Sequence, residues 1–381
     1  MPADRVEAGF GLYVHWPYCL SKCPYCDFNS HVAAQIDQQA FVQAYQAEIE
    51  SVARLTGPRR LDSIFFGGGT PSLMAPATVE AVLAAAREAW SFANDIEITL
   101  EANPTSVEAA AFDGFRLAGV NRISVGLQAL NDDDLRALGR LHSVDEALRA
   151  LEIAQARFDR VSCDLIYARQ GQTPEAWEAE LTRALALGTD HLSLYQLTIE
   201  DGTAFGDRHR RGLLRGLPDE DRSVALFEIT QTMTAAAGLP AYEVSNHARP
   251  GQECRHNLIY WRGGDWAGIG PGAHGRLTLD ERLATETPRA PKDWLAAVAD
   301  SRSQQIEALT PDGRAAEYLM MSLRLTEGSD LSRFRALGGE PIEARMADLV
   351  ADGFLRRDGE RLFATASGRL LLNSVLRALL A

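Results

Sequence analysis

Residues 1–10 carry charges and no apolar signal-peptide core, and no uncharged apolar run reaches the roughly 18–20 residues that a bilayer-spanning helix needs. Neither a secretory leader nor a membrane anchor is therefore read from the sequence, and a cytoplasmic location is expected. Cysteine is scarce, at five in 381 residues. An odd number in a long chain that meets a reducing compartment argues against a disulfide framework. Basic blocks are also missing: the formal net charge is −14, and no Lys/Arg run announces a nucleic-acid-binding face. No nucleic-acid partner is expected, and the surplus of carboxylates is read as serving solubility. Internal repeats and low-complexity segments are absent. With 46% hydrophobic and 24% charged residues, the chain is long enough for one large α/β domain plus a smaller one.

Three of the five cysteines stand together, in Tyr18-Cys19-Leu20-Ser21-Lys22-Cys23-Pro24-Tyr25-Cys26, directly after an apolar run. Thiolates spaced this closely ligate iron–sulfur clusters. Zinc prefers paired C-x2-C units or nearby histidines. Here the nearby His15 lies inside the apolar run, and no second C-x2-C follows. A four-iron cluster on Cys19, Cys23 and Cys26 would keep one iron open.

From residue 11 to about 200, β-rich runs alternate with helical patterns. The strand candidates are Gly11–Trp16, Ser63–Phe66, Ile96–Glu101, Arg122–Leu127, Val161–Tyr167 and His191–Leu197. Helix patterns cover Thr78–Trp90, Val107–Leu117, Val144–Ala156 and Pro174–Leu187, the last opening on a Thr173 N-cap with proline at the first helical position. Six such alternations predict parallel βαβ units in an α/β fold, a barrel or an open sheet. The unusual residues fall where those strands end, which is where a parallel barrel builds its site. A further helix is expected over 219–238, followed by a glycine-rich polar stretch over 240–280 around His256. Past about residue 305 come three helices, a hairpin turning at Asp358-Gly359 and a last helix, the pattern of a winged helix. Given the acidic balance, packing or covering is expected of that unit rather than DNA binding. The expected domains are thus a barrel over 1–215, its extension with the His256 segment over 216–304, and a C-terminal α+β winged-helix-like unit over 305–381.

Phe66-Gly67-Gly68-Gly69-Thr70-Pro71 follows the second strand, and its bare backbone can approach a ligand closely. A glycine triplet alone is usually a tight turn. Glu101 ends the third strand, and Gln128, Arg140 and Asp164 recur after or within later ones. An aspartate can bond ribose hydroxyls, and an arginine can pair bidentately with a carboxylate. Singly each is more often structural, whereas their shared order along the chain favours one site.

Tyr13-Val14-His15-Trp16-Pro17-Tyr18-Cys19, Phe66-Gly67-Gly68-Gly69-Thr70-Pro71-Ser72, Glu101-Ala102-Asn103-Pro104, Ser124-Val125-Gly126-Leu127-Gln128 and Asp164-Leu165-Ile166-Tyr167 resemble the radical S-adenosylmethionine (SAM) proteins grouped with oxygen-independent coproporphyrinogen III oxidases. The resemblance spans nearly the whole chain. It implies a partial (βα)6 barrel with a [4Fe-4S] cluster whose open iron SAM chelates, the glycine loop holding the SAM amino group. By matching motifs, Tyr13, Tyr25, Gly68, Gly69, Thr70, Glu101, Gln128, Arg140 and Asp164 would contact SAM.

Two branches of that family differ two residues beyond the third cysteine. The oxidases have a fourth cysteine there, and this chain has Phe28. Phenylalanine and an H-N-x-x-Y motif, here His256-Asn257-Leu258-Ile259-Tyr260, resemble the HemW heme chaperones. That branch implies heme binding, delivery to apo-hemoproteins of respiration at the membrane surface, peripheral membrane contact and a flavodoxin- or ferredoxin-type electron donor. The other branch implies a radical enzyme that decarboxylates a porphyrinogen. His256 and Tyr260, four apart, would share one helical face, and either side chain can ligate heme iron; Cys254 ranks below them. Against the pattern, Ala168-Arg169-Gln170 replaces a Gly-Leu-Pro expected after Ile166-Tyr167.

Overall fold

The structure, a computed structural model, describes residues 8–33 and 35–381. Six parallel strands follow one another in space as in sequence: β1 (Phe10–Trp16), β2 (Arg60–Gly68), β3 (Ser91–Ala102), β4 (Arg122–Gln128), β5 (Arg160–Tyr167) and β6 (His191–Gln196). Each expected strand is present, most of them longer than the apolar run alone. This is the α/β architecture expected of the six alternations, and helices pack on its outer face. β7 (Asn246–Ala248) adds antiparallel to β6. On the other edge β8 (Asp265–Ile269) adds parallel to β1, and β9 (His274–Thr278), β10 (Arg282–Glu286) and β11 (Gln305–Ala308) continue antiparallel, giving eleven strands in one sheet.

The helices between the strands are capped by their own sequence. α1 (Gln38–Thr56) begins where Asp37 accepts from the Ala40 N–H, and α2 (Pro76–Ala89) begins with proline. α4 (Val144–Arg157) carries a capping box from Ser143 and Glu146, and α5 (Pro174–Leu185) has the expected Thr173 cap. The helix expected over Val107–Leu117 is instead two pieces, Ser106–Ala109 and α3 (Phe112–Ala118). In the first piece Glu108 turns its carboxylate inward, onto the Asn103 N–H and the Ser72 hydroxyl. α1 was not singled out in the sequence, although Phe41, Ala44, Tyr45, Ile49 and Val52 recur at helical spacing and are all buried. α6 (Glu220–Ala236) matches the helix expected over 219–238.

The stretch over 240–280 holds more regular structure than its glycines led us to expect, namely β7, α7 (Arg255–Trp261), β8 and β9. Several of its glycines permit close packing. A Cβ on Gly268 would lie 2.2 Å from the His274 carbonyl oxygen. Residues of this stretch and of α8 (Pro291–Ala299) share the main core with the barrel strands, as Ala267, Ile269 and Trp294 show. A second core belongs to the C-terminal unit, in which Leu319, Phe334, Met346, Leu355, Leu362 and Leu379 pack together. There α9 (Pro311–Ser322), α10 (Leu331–Ala336) and α11 (Glu343–Ala351) precede a hairpin of Leu355–Asp358 and Arg361–Ala364, turning at Gly359 with φ +56°. α12 (Leu372–Leu380) closes the chain.

Candidate cluster and cofactor site

A cavity of about 1100 Å³ opens at the C-terminal ends of the parallel strands. Cys19, Cys23, Cys26, Tyr25, Gly68, Gly69, Thr70, Glu101, Gln128, Arg140 and Asp164 all line it. Residues far apart in sequence thus converge on one mouth, as expected when each follows a parallel strand. Tyr13, His256 and Tyr260 do not line it.

The cysteines sit on the loop after β1. A turn from the Cys26 N–H to the Cys23 carbonyl at 3.1 Å shapes that loop. Thr70 Oγ1 donates to Cys19 Sγ at 3.2 Å, and Arg140 Nη1 lies 3.6 Å from Cys23 Sγ. Burial raises the Cys19 and Cys26 thiols above their ordinary pKa. A bound cation reverses that preference, because thiolate is the ligating form. Among the described residues no three His, Cys, Asp or Glu side chains converge on a single ion. A four-iron cluster instead takes each thiolate on a different iron, and three free cysteines at the polar end of a large cavity suit that donor set.

The glycine loop follows β2, and its geometry forbids side chains. Gly68 has φ +111°, and a Cβ there would lie 2.6 Å from the His15 ring; one on Gly69 would lie 2.7 Å from the Tyr18 carbonyl oxygen. The Gly69 and Thr70 N–H groups are already spent on the carbonyls of Trp16 and Tyr18, at 2.6 and 2.8 Å. An ammonium ligand needs acceptors, so what this loop offers is carbonyl oxygen.

Glu101 and Asp164 form the acidic wall. Burial, with Asp164 adding like charge, pushes the Glu101 carboxyl up to about 8. Burial also raises Asp164, opposed by hydrogen bonds from Ser193 and Ser124, the latter at 3.1 Å. Arg140 Nη2 donates to Asn103 Oδ1 at 2.5 Å and to the Gly126 carbonyl at 3.1 Å, while Asn103 Nδ2 donates to Thr70 Oγ1 at 3.1 Å. Asn103 therefore links the arginine to the glycine loop. The sequence reading missed it, although it stands two residues past Glu101 at the same strand mouth. Gln128 ends β4 in the left-handed region, at φ +69°, which turns the chain sharply beside the cavity. Ser124, Tyr195 and Gln196 also face the cavity and were not picked out.

The remaining expected residues lie away from this cavity. Tyr13 is within β1, its hydroxyl 3.1 Å from His15 Nδ1. His256 and Tyr260 do share one face of α7, but that face is turned into the barrel. His256 Nδ1 pairs with the Ser63 hydroxyl at 2.7 Å and Nε2 with the Tyr260 hydroxyl at 2.6 Å. The ring stacks on Phe65 at 5.2 Å and is only 1% exposed. Burial pushes its pKa down to about 3. Cys254 is likewise buried, donating to Glu97 at 3.4 Å.

The departure after Tyr167 builds a buried ionic clamp. Ala168 takes φ +59°, the conformation a glycine would hold more easily. Arg169 then reaches Glu180 at 2.5 Å, Asp134 at 2.9 Å and the Ile166 carbonyl at 2.5 Å.

Comparison with known proteins follows the same lines. Residues 13–184 match the radical SAM superfamily, and residues 309–371 match the HemN C-terminal domain. The heme chaperone HemW of Escherichia coli K12 is 37% identical over 377 residues, covering 97% of this chain and 98% of that protein. HemW of Mycobacterium tuberculosis H37Rv is 38% identical over 97% of this chain and 95% of its own. The mouse mitochondrial radical S-adenosyl methionine domain-containing protein 1 is 38% identical, covering 97% of this chain and 87% of its own. Among solved structures, the coproporphyrinogen III oxidase HemN of Escherichia coli superposes with a TM-score of 0.81 at 24% identity, over 99% of this chain and 91% of that one, which shows the shared fold. The chain belongs to the HemW family within the radical SAM superfamily.

Proposed function

We propose that this protein carries a [4Fe-4S] cluster on Cys19, Cys23 and Cys26, binds SAM beside it, and binds heme for delivery to apo-hemoproteins. The observation that carries the first part is that three free cysteines, the glycine loop, Glu101, Gln128, Arg140 and Asp164 all border one cavity. Glu101 and Asp164 would accept hydrogen bonds from the amino group and ribose of SAM. Gly68 and Gly69, which leave no room for side chains, would let SAM approach the backbone, and Tyr25, within the cysteine loop, packs on the apolar cluster of Leu135, Leu138 and Ile166. The cluster, when bound, supplies the electron chemistry of the superfamily. Arg140 holds the loop around Cys23 in place, and Asn103 holds Arg140.

The heme part is supported by family membership and by Phe28, which stands where the oxidase branch has a further cysteine. Expected acceptors are respiratory apo-proteins reached from the membrane surface, with reduction by a flavodoxin- or ferredoxin-type donor. No helix of the described residues is long and apolar enough to cross a membrane, so membrane contact would be peripheral. Ligation of heme by His256 would require α7 to part from β1 and β2.

Anaerobic reconstitution followed by titration with SAM and hemin tests the reading. The parent should take up a brown chromophore that each of Cys19→Ser, Cys23→Ser and Cys26→Ser loses, and it should bind both ligands stoichiometrically. A serine triple variant with an unchanged chromophore and resonance spectrum would overturn the cluster assignment. Turnover of coproporphyrinogen III under the same conditions would replace the chaperone with the enzyme.

A further inference from the structure

The cavity is chemically two-sided. Its inner end is polar, built from the cysteines, Glu101 and Asp164. Its outer rim is apolar and open: Phe28 is 59% exposed, Leu141 69% and Leu371 50%, and Leu20 and Leu370 stand beside them. Of the thirteen large apolar side chains exposed among the described residues, six line this cavity. Scattered apolar residues need no explanation, whereas a cluster of them around one hollow marks a ligand face. SAM, small and charged, suits the inner wall and leaves the rim uncovered.

We propose that the rim is the heme site, the porphyrin face lying on Phe28, Leu141 and Leu371 and its carboxylates turned toward Arg369. This rests on the heme-binding reading above and assigns that ligand a place. A tetrapyrrole is the occupant that fits: flat, apolar over both faces, and anionic at one edge. Arg369 lines the same cavity and is half-buried; its one side-chain hydrogen bond among the described residues is the 3.4 Å contact to the Arg324 carbonyl, and Glu243 is the carboxylate whose charge reaches it. Asp219 and Glu220 stand at the cavity too, so the anionic edge turns away from them and toward Arg369. His256 is no part of this site, because both its ring nitrogens are already bonded inside the barrel. The rim holds the macrocycle by its faces, so the bound metal is dispensable.

The test uses full-length reconstituted protein titrated in parallel with hemin and with metal-free protoporphyrin IX, followed by Soret change and by fluorescence. Both porphyrins are expected to bind. Phe28→Asp and Leu371→Asp, each placing a charge on an exposed apolar wall, should weaken both by about tenfold or more. Arg369→Gln should weaken the free acid and leave the dimethyl ester of protoporphyrin unchanged. Cluster absorbance and SAM affinity, measured on the same samples, show that the variants are folded. Hemin binding with no protoporphyrin binding, or charged variants that bind hemin as the parent does, would overturn the rim site and leave the heme-chaperone reading standing. Failure of the parent to bind either porphyrin would overturn both.

Discussion

Arg169 Nη2 lies 2.5 Å from Glu180 Oε2, with both side chains all but excluded from solvent. Glu180 Oε1 in turn accepts from the Leu130 N–H at 2.6 Å, so one ion pair ties the loop after β5, below Asp164, to the loop after β4, beyond Gln128. Removing one partner of a buried pair strands the other charge, at a cost of about 3–5 kcal/mol. Arg169→Leu is therefore expected to lower the denaturation midpoint markedly, and Arg169→Lys to recover part of the loss. An unchanged urea midpoint in Arg169→Leu would show that the clamp contributes nothing.

Gly68 is held at φ +111° with the His15 ring where a Cβ would be. Gly68→Ala should cost about 1–3 kcal/mol in stability, from backbone strain and crowding together, and weaken SAM binding several-fold. Calorimetric titration of the folded variant checks the second effect. Parent-like affinity would remove the glycine loop from the site.

Glu101 sets a pH dependence whose sign is fixed. Its carboxyl is raised from 4.5 to about 8 in the folded protein, so between those values the native state holds a proton that the unfolded chain has released. Stability then falls as pH rises across that window and levels off above it. Thermal melts of the cluster-free protein from pH 5 to 8.5 should show the decline, and Glu101→Gln should flatten it. A Glu101→Gln profile parallel to the parent's would assign the slope to other groups.

His256 is a part of the barrel interior. His256→Ala takes bonding partners from Ser63 and Tyr260 and opens a void, for a loss on the order of 3 kcal/mol. Differential scanning calorimetry should report that loss, whereas hemin affinity of the folded fraction should stay within error. A full loss of hemin binding without destabilisation would restore His256 as a ligand.

Much of this was legible in advance. The strands were readable because parallel strands buried on both faces leave near-continuous apolar runs, and the residues that border the cavity because their order along the chain follows the strand mouths. What escaped notice depends on contacts that sequence spacing does not encode. Asn103 is an ordinary loop residue until Arg140, 37 positions away, is folded against it. The inward turn of His256 is equally hidden: its spacing with Tyr260 gives a shared face but not the direction of that face, which Ser63 and Phe65 determine. β8 and β9 were missed because Gly268 and Gly275, packed tightly between these strands, look the same in sequence as glycines in loops.

The hollow is bordered by residues 19–28 near one end of the chain and 369–373 near the other. A ribosome therefore releases the cysteine loop hundreds of residues before the wall that faces it exists. Until residues 369–373 have been made that side of the hollow is missing, and a chain cut before Arg369 would leave the cysteine loop more open.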